Sequence, residues 1–169
     1  MLRLASVPEL YAHAIAIERE AAQRYAEFAE RMEDLGNLAA AEVFARLAGF
    51  EAEHLEALLR RTAGISLPQL SSNDYRWLGA GAPETAAREL VFRLMSPRQA
   101  LAIALGAEQR AQAFFEQVLM TADDPALRGL AREMAADETE HVVMLEKLLE
   151  TTPGPVVDWA SVYEGGSSS

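Results

Sequence analysis

Residues 50–55 read FEAEHL and residues 137–142 read DETEHV, so the motif Glu-x-Glu-His occurs twice, 87 residues apart. It uses two of the chain's 3 histidines. A carboxylate and an imidazole three residues apart project from the same side of an α-helix. Whether these two stretches are solvated helix faces or point inward decides the fold.

The apolar residues around them point inward. On the first helix the heptad stripe reads Tyr11, Ala14, Glu18, Ala21, Tyr25, Phe28, Met32, Leu35, and on the third Leu101, Ala104, Glu108, Ala111, Phe115, Val118. The second reads Phe44, Leu47, Glu51, His54, Leu58, and the fourth Leu127, Ala131, Met134, Glu138, His141, Leu145, Leu148. Such stripes face a bundle core. Each is interrupted near its middle by Glu, or by Glu and His. Glu20, Glu53 and Glu140 fall off the stripes, and His13 lies beside one as a structural or exposed residue.

Punctuation sets the helix ends. The first helix runs from about Val7 to Asp34 and stops at Leu35-Gly36; Asn37 caps the second, which continues to about Thr62. Ser96-Pro97 and Asp124-Pro125 open the third and fourth, the last ending near Thr151 before TTPGP. Short turns make two antiparallel hairpins, whereas residues 63–95 form a long crossover with an expected short helix, ETAARELVFRLM. The hairpins also align as repeats, with Glu18 over Glu108, Tyr25 over Phe115, Glu51 over Glu138 and His54 over His141. The expected architecture is all-α: a four-helix bundle of two hairpins over residues 1–152, followed by a tail, 153–169, whose end EGGSSS is flexible.

Composition narrows the function. Lys+Arg 15 against Asp+Glu 26 gives a net charge of −11, which argues against nucleic-acid or anionic-membrane partners. With no cysteine, thiolate catalysis and thiolate-held metals are excluded. No apolar run reaches membrane-spanning length and no signal-type segment opens the chain, so a cytoplasmic location is expected.

Four carboxylates aimed into one core would each suffer a large desolvation cost and repel the others. Two divalent cations bring +4 against −4, and two neutral imidazoles add nitrogen donors without disturbing the balance. Carboxylate with imidazole suits iron or manganese. Tyr25, two turns from Glu18, is either a hydrogen-bond donor to a ligand or ordinary core. Ala21 and Ala111 either leave room for a small oxidant or let the helices pack closely.

The series Glu18…Tyr25, Glu51-x-x-His54, Glu108, Glu138-x-x-His141 resembles the di-iron site of the rubrerythrin family, within the ferritin-like superfamily, over about residues 7–150. The resemblance implies that Glu51 and Glu138 bridge two iron ions, with Glu18 and His54 completing one and Glu108 and His141 the other; Fe/Mn and Mn/Mn are the alternative pairs. It implies reduction of hydrogen peroxide or dioxygen, by a homodimer or larger homo-oligomer. Full-length rubrerythrins carry a four-cysteine rubredoxin-like domain, so here an external electron-donor protein is expected. Many rubrerythrins also place another glutamate where this chain has Ala111. The six-ligand set also fits a ferroxidase feeding iron storage, the second reading, and an oxygenase acting on an organic substrate, the third.

Overall fold

The computed structural model describes residues 4–70 and 95–155. It contains four helices: α1 Val7–Asp34, α2 Leu38–Arg61, α3 Pro97–Thr121 and α4 Pro125–Thr151. Their ends follow local chemistry. The side chains of Ser6, Asn37, Ser96 and Asp124 each accept a hydrogen bond from a first-turn backbone N–H, and proline stands in the first turn of α1, α3 and α4. Gly36, at φ 76°, turns the chain from α1 into α2 in a conformation that costs other residues energy. The expected short helix falls outside the described residues except for its last residue, Met95, which is buried and not helical; the tail end EGGSSS also lies outside them. No helix among the described residues is long and apolar enough to cross a membrane.

α1 packs along α2, and α3 along α4; the hairpins meet where α1 touches α4 and α2 touches α3. The core is two apolar clusters rather than one. The first gathers Leu10, Ala14 and Ile17 of α1, Leu58 of α2, Phe115 and Val118 of α3, and Leu127 and Ala131 of α4. The second gathers Tyr25 and Met32, Phe44 and Leu47, Leu101 and Ala104, and Leu145 from the same four helices. The start of α1 therefore shares a cluster with the end of α2, the end of α3 and the start of α4. α1 and α4 run in one direction and α2 and α3 in the other, so α2 ends and α3 begins at opposite ends of the bundle. That is the ferritin-like arrangement.

The α3 stripe is buried at all six positions, Leu101 to Val118. The stripe on α4 fails at its end: Leu148 is 40% exposed, while Leu145 is fully buried and Leu149 packs on the second cluster. A straight helix drifts about 20° per heptad against a seven-residue repeat, and Leu148 lies three heptads beyond Leu127. Tyr11, Phe28 and Leu35, on α1 and just past its end, are only partly buried. His13 is buried at 3% exposure and packs against the Phe114 ring, at 5.4 Å between centroids, away from the other two histidines.

Candidate metal centre

A polar layer separates the two apolar clusters. Glu18, Glu51, Glu108 and Glu138 are 3–8% exposed, one from each helix, at the stripe positions where apolar residues would otherwise meet. Glu51, His54 and His141 bring donor atoms within 4.8 Å of one another, and so do Glu108, Glu138 and His141. Both imidazoles turn Nδ1 toward the carboxylates. His141 Nδ1 lies 3.2 Å from Glu108 Oε2 and 3.2 Å from Glu138 Oε2, and its ring stacks on that of His54 at 4.4 Å and 4°. Glu18 completes neither triple; it joins through a hydrogen bond with Glu51 and a 4.0 Å approach to His54 Nδ1.

Tyr25 reaches across the bundle and donates from its hydroxyl to Glu108 Oε1 at 2.9 Å. Of the two roles open from sequence, the structure gives it the hydrogen bond to a site carboxylate, while its ring remains in the core. Its repeat partner Phe115 is as deeply buried but carries no hydroxyl, so the two half-sites share a ligand pattern but not their surroundings.

Electrostatics follow from this burial. Desolvation pushes Glu18 to about 8 despite a hydrogen bond with Glu51 that lowers it. Desolvation also raises Glu51, to about 10, helped by Glu18 and Glu108. Glu138 is raised to about 8 by burial, partly offset by His141. Burial acts upward on Glu108 too, but hydrogen bonds with His141, Glu138 and Tyr25 outweigh it and hold this carboxyl below its ordinary value. For His141, burial would favour the neutral ring, yet the hydrogen bonds to Glu108 and Glu138 raise it to about 10. His54 is lowered, first by desolvation and then by His141. Burial pushes the Tyr25 phenol well above its usual range, keeping the proton it donates.

Two oxygens in this layer stay unsatisfied. Glu18 Oε2 and Glu138 Oε2 are buried with no hydrogen-bond partner among the described residues. His141 Nδ1 stands 3.2 Å from both Glu108 Oε2 and Glu138 Oε2, and its one proton cannot fully satisfy both acceptors. Buried acceptors without partners are costly and call for explanation, and bound cations would supply it. Four carboxylates with two imidazoles are a fitting donor set for two divalent transition-metal ions.

Sequence reasoning missed the surroundings of His54. Its side chain is 41% exposed, and it lines a cavity of about 90 Å³ with Glu18, Glu138, Asp137 and Arg61. The Arg61 guanidinium pairs with both carboxylate oxygens of Glu133 and donates to the Tyr11 hydroxyl at 3.1 Å, tying α1, α2 and α4 together. Asp137 adjoins Glu138 and Arg61 follows His54 by two turns, but nothing in the sequence distinguishes them from other surface charges.

A four-helix bundle with a carboxylate–imidazole layer at its middle is a dinuclear metal-binding scaffold. Residues 9–74 match the rubrerythrin family model and residues 97–167 match a ferritin-like domain model, one over each hairpin. A crystal structure of an uncharacterized conserved protein from Magnetospirillum magnetotacticum MS-1 aligns with a TM-score of 0.73 and 37% identity. The alignment covers 90% of this chain and 99% of that one. No curated protein matches. The chain belongs to the rubrerythrin family of ferritin-like proteins.

Proposed function

We propose that the protein is a di-iron oxidoreductase that reduces hydrogen peroxide or dioxygen with electrons from an external donor protein. As the resemblance implies, Glu51 and Glu138 would be shared by the ions, while Glu18 and His54 would help hold one and Glu108 and His141 the other. The observation that carries the reading is the opening beside His54. Structural metal sites are closed, whereas reactive ones keep an accessible position. At about 90 Å³ the cavity holds roughly three waters, against the ~300 Å³ or more of a typical organic ligand site. It suits peroxide or dioxygen and counts against an organic substrate.

A bound di-ferrous pair would supply the two electrons that, with two protons, turn one peroxide into two waters. The chain's own contribution is positioning. Tyr25 fixes Glu108 through Oε1 and keeps its phenolic proton, while His54, lowered below its ordinary value, presents a neutral Nδ1. One observation favours the ferroxidase alternative. Ala111, buried one turn from Glu108, offers no seventh carboxylate for an ion that shifts with redox state.

Rapid mixing of anaerobic di-ferrous protein with peroxide tests the reading. Ferric absorption should appear with one peroxide consumed per two irons, and repeated turnover should require an added electron donor. Oxidation by dioxygen alone, with uptake far beyond two irons per chain, would replace it with iron storage.

A further inference from the structure

The metal reading leaves open how an ion reaches carboxylates that are more than nine-tenths buried. Two larger depressions, of about 590 and 400 Å³, lie on α4 and α1 and are lined by none of the six site residues. The small cavity beside His54 does reach them, with Glu18 and Glu138 in its wall. Those residues carry the two buried oxygens without partners, so it leads to unsatisfied acceptors. Its outer rim holds Asp137, an exposed residue whose carboxylate lies within electrostatic reach of both His54 and His141. The one cation in the lining among the described residues, Arg61, is already committed to Glu133, which neutralises it, and to Tyr11, which helps restrain it. The mouth is therefore net negative.

We propose that this opening is the port through which divalent cations enter, and that Asp137 captures them at the mouth and hands them past His54 to Glu18 and Glu138. The proposal rests on the metal reading above. A hydrated divalent ion sheds its waters reluctantly, and a graded set of donors lets it exchange them one at a time. Asp137 is exposed, the His54 side chain is 41% exposed, and those of Glu18 and Glu138 are 10% and 4%. Ala57, exposed and small, leaves the passage clear.

Stopped-flow mixing of metal-free protein with cobalt(II), followed by visible absorbance, tests the port. At about 7 Å in water, one carboxylate attracts a divalent ion enough to raise its local concentration roughly five- to tenfold. Asp137→Asn should slow loading by about that factor at low salt, with two cobalt ions still bound at the end. The difference should shrink at ~0.5 M salt. Glu20→Gln, an equal charge change on the α1 depression, should load at the parent rate. Ala57→Phe should slow both loading and removal by EDTA without changing stoichiometry. If Asp137→Asn loads as fast as the parent, or Glu20→Gln is slowed equally, the port is wrong while the metal centre stands. A parent chain that takes up no cobalt overturns both.

Discussion

Loading the metal-free centre with two divalent ions at pH 7 should expel about four protons. Glu18 and Glu138, raised to about 8, and Glu51, raised to about 10, are mainly protonated at that pH. His141, raised to about 10, is cationic beside an ionised Glu108. The metal-free layer is thus neutral, with one ion pair and three carboxylic acids. Filled, it is neutral again, with four carboxylates, two neutral imidazoles and +4 from the ions. Charge balance fixes the exchange at about four protons for two ions, because coordination requires deprotonated donors. Titration calorimetry in two buffers of different ionisation enthalpy reads the number directly, as does an indicator dye in unbuffered solution. Apparent affinity should climb steeply from pH 6 to 8. Release of one proton or fewer would mean the carboxylates are ionised before metal arrives, and the account of how the layer tolerates burial would be wrong.

Two further outcomes follow from the same layer. Between pH 4.5 and 8 the folded metal-free chain holds more protons than the unfolded one, because Glu18, Glu51 and Glu138 are all raised; stability therefore falls as pH rises. Thermal melts in EDTA should show Tm dropping from pH 5 to 9, a slope that saturating metal removes, and a flat EDTA profile would contradict the assigned protonation states. Tyr25→Phe deletes a hydrogen bond to a buried carboxylate and should cost about 1.5–3 kcal/mol, or roughly 3–12 °C in a domain of this size. Phe115 at the repeat-related position shows that such a ring fits the core, so a Tm within 1 °C of the parent in calorimetry would show that the hydroxyl adds nothing.

The helices and the six polar stripe residues were legible because their signals are local. Prolines 97 and 125 with their caps mark the start of α3 and α4, and Glu or Glu plus His interrupts an apolar period on each helix. The rest depends on how helices rotate and approach one another. Leu148 left the core because helical drift accumulates along α4, which no single heptad reveals. The exposure of His54 depends on the gap left where α1, α2 and α4 approach one another, and the port joins residues from these three helices that share no sequence pattern. Tyr25 could be marked as a candidate, but its bond to Glu108 crosses from one repeat to the other, and repeat alignment alone cannot say which of two related aromatics makes it.

The hairpins are packed far more densely within themselves than against each other. Glu51 and His54 come from one hairpin and His141 from the other, so an ion held by this triple would be bonded to both. Such an ion would act as a rivet through the joint. Mechanical coupling between the two halves would then depend on the ion content of the medium as well as on the chain itself. Amide exchange should record it, with protection gained at mid-helix on all four helices at once, while the helix ends, seated in their own apolar clusters, change little.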